Sequence, residues 1–166
     1  TVVSHLPALV DFIVVVDDCS TDSTAAKVEQ IKDKRIHLIK HEKNRGVGGA
    51  MLSGYDLAYQ LGAQVMVKLD GDNQMDPAYL EALIDPILEF KADYAKGNRF
   101  LHVQELQRMP LIRRIGNLGL SFLTKLSSGY WNIFDPTNGY TAIHRDVYEL
   151  LDRDAIDKDY FFETSM

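Results

Sequence analysis

Apolar runs alternate with segments of helical periodicity along most of the chain. The runs predict buried strands at residues 12–16, 36–39, 65–69 and 93–98. The intervening pattern predicts helices at residues 23–34, at residues 46–61 and from Pro77 onward, where Pro86 is expected to break or kink the helix. This βαβα order with short connections predicts an α/β fold built on a doubly wound, mostly parallel sheet.

An acidic loop, residues 69–77, follows the third predicted strand. Asp70 and Asp72 are two residues apart, so both side chains can project in one direction beyond the sheet edge, where open α/β sheets bind ligands. Their oxygen atoms suit Mg²⁺ or Mn²⁺. The same residue types also form plain turns, but the preceding strand and the other motifs favour a metal site.

Two adjacent acids, Asp17 and Asp18, leave the first predicted strand and should face the same sheet edge. Paired acids at a strand end have few structural partners, which favours contact with a ligand such as a nucleobase N–H or a ribose hydroxyl. Asp22 and Ser23 stand just before a predicted helix and are better suited to capping it.

A glycine-rich segment, residues 44–50, opens the second predicted helix. Gly46, Gly48 and Gly49 allow the backbone to approach a phosphate, and a helix N-terminus favours anions. The spacing matches neither the dinucleotide fingerprint nor a P-loop. Close packing of the helix on the sheet is therefore an equal alternative.

Composition narrows the class of protein. A chain of 166 residues that is 46% hydrophobic can bury one core, so residues 1–166 are expected to form a single domain. The net charge of -6 argues against nucleic acid as a partner. Cys19 is the one cysteine, which excludes an internal disulfide and fits a reducing compartment.

Five motifs in a fixed order resemble the family 2 glycosyltransferases of the GT-A fold. They are VVDDCSTDST, NRGVGGAMLSGY, VKLDGDNQMDP, GNRF and DPTNGYTAI. The resemblance covers essentially the whole chain, and within the family it is strongest to the branch of dolichyl-phosphate mannose synthase and bacterial polyprenyl-phosphate sugar transferases. It implies an inverting transferase that uses a nucleotide-diphosphate sugar.

The resemblance also implies roles for single residues. It assigns the nucleotide-sugar site to Asp17, Asp18, Gly46, Gly49 and Asp70. Asp70 and Asp72 would serve a Mg²⁺ or Mn²⁺ cation and the diphosphate, with Gln74 adding an oxygen or ordering a metal-bound water. Asp72 would be a catalytic residue, because the cation neutralises charge that develops on the leaving diphosphate.

Charge indicates the acceptor. A hydroxyl nucleophile needs a general base, whereas a lipid phosphate is already anionic near neutrality and needs cations to hold it. Arg99 ends the fourth predicted strand, Arg113 and Arg114 follow, and arginine suits bidentate phosphate binding. These arginines are the expected acceptor-binding residues of a polyprenyl phosphate site, and Arg99 is also expected to be catalytic. The resemblance adds Asn138, which lies in a stretch similar to the one beside the acceptor site of the family.

Residues 109–131 mix basic and apolar side chains. The pattern is typical of an amphipathic helix on a membrane surface, and equally of a helix packed on the domain. The expected location of the full-length protein is the cytoplasmic face of a membrane, and the sequence leaves room for an oligomer.

Two further expectations come from comparing the chain with the family pattern. The chain should be an interior fragment that lacks the first strand with its P-x-Y-N-E-like motif. Glu163 falls where transferases acting on hydroxyls carry a catalytic base, although Ser165 stands where an aspartate is common. The alternatives are thus a transferase acting on a polysaccharide or glycolipid hydroxyl, and an inactive nucleotide-sugar-binding fragment.

Overall fold

Strands and helices alternate in the computed structural model. It describes residues 2–98, 138–158 and 162–165, and seven further positions. Those positions are Gly116, Gly119, Ser121, Phe122, Lys125, Leu126 and Gly129.

Within residues 2–98, 138–158 and 162–165, five strands and five helices are defined in chain order. The strands are β1 (Ile13–Asp17), β2 (Ile36–Lys40), β3 (Val65–Lys68), β4 (Tyr94–Lys96) and β5 (Thr141–His144). The helices are α1 (Thr24–Glu29), α2 (Gly46–Gln60), α3 (Leu80–Leu88), α4 (Arg145–Leu150) and α5 (Phe162–Ser165). Short 3-10 turns occur at Val2–His5 and Pro77–Tyr79.

The first two helical predictions differ in accuracy. α2 matches its predicted range closely, whereas α1 ends five residues before the predicted end. The cause lies at Arg35, whose guanidinium pairs with Asp33 at 2.8 Å and donates to the carbonyls of Pro7 and Val10 at 2.9 and 3.1 Å. These bonds hold the chain in a turn before β2, so the helix cannot continue.

Pro86 does not break α3 where it stands. The helix continues to Leu88, and the chain then turns so that the Pro86 carbonyl accepts hydrogen bonds from the amides of Lys91 and Ala92 at 2.9 and 3.0 Å. The helix therefore ends two residues after Pro86, at Leu88, and the turn that follows leads into β4.

The sheet expectation is correct only in part. β1 and β2 pair in parallel, but β5 lies between β3 and β4 and runs antiparallel to both. Among the described strands this gives two small sheets rather than one mostly parallel sheet. The reversal arises because the chain leaves β4 and re-enters β5 from the same end, where the Gly97 amide donates to the Tyr140 carbonyl at 2.8 Å.

Apolar side chains cover both faces of the β3–β5–β4 sheet. Successive strand residues point to opposite faces. Ile143 accordingly packs with Tyr55 and Tyr148 on one face, while Ala142 packs with Leu83 and Ile87 on the other. This layering of helices on both faces agrees with the predicted doubly wound architecture.

Candidate functional site

The two acids that end β1 both have partners within the protein. Asp17 is buried, its carboxylate accepts from the Ser20 amide at 3.2 Å, and its carbonyl accepts from the His41 amide at 2.9 Å. The premise that such acids have few structural partners is therefore wrong, although contact with a nucleotide stays a prediction.

Asp18 anchors the start of α2. Its carboxylate lies 2.6 Å from His41 Nδ1 and accepts from the Arg45 amide at 2.9 and 3.0 Å. Partial burial raises the pKa of Asp18, but the hydrogen bonds from His41 and Arg45 outweigh burial and hold that pKa below its ordinary value. The carboxylate is thus ionised and held by His41 and Arg45. These two residues line an open cleft together with Lys40, Glu42 and Lys43.

His41 connects this acid to the helix behind it. The ring is almost fully buried, and its Nε2 lies 3.0 Å from Ser53 Oγ, which also contacts the Gly49 carbonyl at 3.0 Å. Because both ring nitrogens have partners, the imidazole cannot rotate without losing a hydrogen bond. His41 and Ser53 were not predicted from the sequence, since each is distant from Asp18 along the chain.

The depressed pKa of Asp18 predicts a specific acid response. A carboxyl group with a lowered folded-state pKa stabilises the fold above its unfolded pKa, about 3.8, and this contribution is lost as the pH falls below that value. Asp18→Asn should therefore lower the melting temperature near neutral pH and flatten its decline below about pH 4. Asp11→Asn, at an exposed position, is the control. Parallel melting curves for Asp18→Asn and wild type would contradict the assignment.

The D-x-D loop follows β3 as predicted. Asp70 is 42% exposed at its side chain, and Asp72, Asn73 and Gln74 are exposed. Asp72 Oδ1 accepts from the Gln74 amide at 3.0 Å, which forms a tight local turn. The loop then closes at Asp76, whose carboxylate accepts from the first free amide of the Pro77–Tyr79 turn at 2.9 Å.

Lys68 is a site residue that sequence reasoning missed. It is the last residue of β3, its side chain is 1% exposed, and its Nζ lies 2.8 Å from Asp70 Oδ1. A lysine inside an apolar strand, two residues before an acid, was the available signal, because positions i and i+2 face the same way.

The segment before β5, which includes Asn138 and Gly139, lies beside Lys68 and Asp70. Asn138 is buried, and its Oδ1 accepts from the Tyr140 amide at 3.0 Å. Tyr140 belongs to the core, where burial and the neighbouring Asp76 raise the pKa of its hydroxyl to about 12. Asn138 thus supports the backbone here, and its predicted role in acceptor binding stays a prediction.

The glycines of α2 are used for close packing. The amides of Gly48 and Gly49 donate to the Lys158 carbonyl at 2.8 and 3.3 Å, and the Gly46 amide donates to Asn44 Oδ1 at 3.0 Å. These amides already have acceptors within the protein. Contact of Gly46 and Gly49 with a nucleotide stays a prediction.

The helix α2 relates the two acidic strand ends. A Cβ atom at Gly54 would lie 3.3 Å from Val16 of β1, and the hydroxyls of Tyr55 and Thr141 are 3.5 Å apart. Thr141 is the register partner of Lys68. Thus α2 lies close to β1 at Gly54 and reaches β5, beside the end of β3, through the hydroxyl of Tyr55. That the acids after β1 and β3 share one edge stays a prediction.

Several predicted site residues belong to segments outside the described part of the structure. Arg99, Arg113 and Arg114 lie outside the described residues, and so does most of the segment 109–131. Glu163 lies within α5, but its side chain is outside the described part of the structure. Within the described ranges, no helix has the length and apolar character that a membrane crossing requires.

Comparison with known proteins identifies the family. The model of the family described as "Glycosyl transferase family 2" matches residues 3–151. A UDP-N-acetylglucosamine–dolichyl-phosphate N-acetylglucosaminyltransferase of Methanococcus voltae is 34% identical, over 90% of this chain and 65% of that protein. A polyprenol monophosphomannose synthase of Mycolicibacterium smegmatis is 31% identical, over 93% of this chain and 59% of that protein.

A third relative has a name of the same kind. The undecaprenyl-phosphate mannosyltransferase of Micrococcus luteus is 29% identical, over 93% of this chain and 63% of that protein. The chain thus spans between 59% and 65% of the length of these three relatives. The resemblance inferred from the five motifs is confirmed.

Proposed function

The chain belongs to glycosyl transferase family 2, and from this membership we propose that the whole protein transfers a sugar from a nucleotide-diphosphate sugar to a polyprenyl phosphate, with inversion at the anomeric carbon. The observation that carries the proposal is the acidic loop after β3, with Asp70 and Asp72 accessible beside a strand end. Relatives named for dolichyl, polyprenol and undecaprenyl phosphates support the choice of acceptor.

Asp70, Asp72 and Gln74 would hold a Mg²⁺ or Mn²⁺ cation. They offer accessible oxygen atoms, which suit both ions. Among the described residues no cluster of three His, Cys, Asp or Glu side chains can bind a metal. Two carboxylates and one amide oxygen, from Asp70, Asp72 and Gln74, fit a cation that takes only one or two protein carboxylates and completes its shell with phosphates and water. The bound cation would neutralise charge on the leaving diphosphate.

Asp18 would bind the nucleoside end of the donor, with Asp17 supporting it. The Asp18 carboxylate is ionised and held by His41 and Arg45, so it can accept a hydrogen bond from a base N–H without first moving. Its two partners, His41 and Arg45, line an open cleft, which supports this assignment.

Arginines would hold the acceptor. In the sequence, Arg99 comes two residues after Gly97, whose amide donates to the Tyr140 carbonyl. Arg113 and Arg114 would add charge, because a phosphate nucleophile needs cations rather than a base. In the described part of the segment 109–131, Phe122 and Leu126 are helical, one turn apart and 57% and 64% exposed, which supports contact with a membrane surface.

A hydroxyl acceptor is the second candidate, in which Glu163 would act as a general base. The position of Glu163 in α5, which packs its Phe162 into the core beside Tyr55, is the observation in its favour. An inactive nucleotide-sugar-binding protein is the third candidate. Full-length protein assayed with polyprenyl phosphate and with glycolipid acceptors, for wild type and Glu163→Gln, separates all three.

Arginine substitutions test the phosphate acceptor directly. In full-length protein, Arg99→Ala and Arg113→Ala should raise the KM for polyprenyl phosphate by about tenfold or more, because a charge-assisted contact is worth roughly 1.5–3 kcal/mol. The Kd for the nucleotide sugar should change far less. An equal loss in both constants would mean that these arginines do not belong to the acceptor site.

A further inference from the structure

The side chain of Lys68 is a buried cation beside the acidic loop. It is 1% exposed, and its Nζ lies 2.8 Å from Oδ1 of Asp70, whose side chain is 42% exposed. A buried ammonium group is costly unless it is paired. In this ion pair the ammonium group of Lys68 is buried, whereas the carboxylate of Asp70 is accessible to a ligand.

Other parts of the chain fix this pair in place. A Cβ atom on Gly139 would overlap Lys68 Nζ and lie 3.1 Å from Asp70 Oδ2, so the backbone before β5 closes over both charged groups. The Asp70 amide contacts Met75 Sδ at 3.3 Å. The carboxylate is thus oriented by the strand, the loop and the segment before β5 before any ligand arrives.

We propose that Lys68 is a positioning residue of the donor site, which orients Asp70 and cancels its charge until a cation arrives together with a diphosphate. The proposal rests on the proposed function. A free cation that approaches Asp70 also approaches the ammonium group of Lys68, and the two effects largely offset each other. A nucleoside diphosphate brings negative charge that the ammonium does not neutralise. Cation and nucleotide therefore bind as a pair.

Calorimetry of Mn²⁺ binding to full-length protein tests this inference. Lys68→Met keeps an unbranched, apolar side chain of similar length and removes the charge. We expect it to strengthen the binding of Mn²⁺ alone by about tenfold, because it removes a like charge beside the expected cation site. The factor by which UDP or GDP improves Mn²⁺ binding should shrink correspondingly. Lys68→Arg retains the charge and should keep the wild-type pattern.

Lys91→Met is the matched control. It removes the cation of an exposed pair, Lys91 Nζ and Glu89 Oε2 at 2.7 Å, and changes the net charge equally. Its Mn²⁺ affinity should equal that of wild type. If Lys68→Met fails to fold, Lys68→Gln makes a second test, because it removes the charge but keeps a hydrogen-bond donor beside Asp70 and should also strengthen the binding of Mn²⁺ alone.

The outcomes separate this inference from the proposed function. If wild type shows strong synergy between Mn²⁺ and nucleotide and the folded variants show the same affinity and synergy, the role of Lys68 is overturned and the donor site stands. If the affinity of wild type for UDP-sugars and for GDP-sugars is the same in the presence and in the absence of Mn²⁺, the metal-dependent donor site is overturned. The role of Lys68 is then overturned with it.

Discussion

Asp72→Asn is expected to weaken nucleotide-sugar binding in Mn²⁺ by about a hundredfold in the full-length protein, the loss of roughly one strong charge-assisted contact. The melting temperature should stay unchanged. Asp72 is exposed, and its Oδ1 accepts only a local bond from the Gln74 amide that an asparagine oxygen can also accept. The substitution therefore removes charge from the ligand site without removing packing from the core.

Calorimetry with and without Mn²⁺ measures this effect. Wild type should show strong synergy between the cation and the nucleotide sugar, and the variant little. Asp85→Asn, at an exposed position of α3, makes the same change in charge and should behave as wild type. Equal synergy in Asp72→Asn and wild type would show that the D-x-D sequence is only a turn.

Gly48→Ala should cause the second large effect, a loss of stability of about 3 kcal/mol, the upper end for overpacking. A Cβ atom there would overlap the Asp157 carbonyl oxygen and lie 2.8 and 2.9 Å from backbone atoms of Lys158. Backbone cannot rotate away as a side chain can. The hydrogen bond from the Gly48 amide to the Lys158 carbonyl would be lost with the contact.

Urea unfolding of the two proteins gives the difference in stability. Gly54→Ala in the same helix is the control, because its Cβ atom would meet only a side-chain atom of Val16 at 3.3 Å. The alanine also raises helix propensity by about 1 kcal/mol, which offsets a small clash. Similar stability of both variants would contradict the close approach at Gly48.

Periodicity predicted the local structure of this chain well. β1, β2, β3 and α2 lie within about a residue of their predicted bounds, because apolar runs and helical spacing are properties of neighbouring residues. The antiparallel direction of β5 was not predicted, since it depends on how the chain returns after β4 rather than on any local pattern.

The sequence predicted only the exposed residues of the candidate site. Asp18, Asp70 and Asp72 carry the visible signals of acids after strands, and a common edge for Asp18 and Asp70 stays a prediction. Their buried partners, Lys68 and His41, were missed. Each holds its acid through a contact that becomes apparent only when the strand ends and their neighbouring segments are in place.

The chain segment between Gly97 and Tyr140 begins and ends at the hydrogen bond that joins these two residues. Its two ends leave from paired strands, so its length can change at a closure cost that grows only slowly, while the register of β4 and β5 stays the same. The expected acceptor residues Arg99, Arg113 and Arg114 all fall within it. We therefore expect chimaeras that exchange residues 99–137 between relatives, and keep Gly139 beside Lys68 and Asp70, to change the acceptor rather than the donor site.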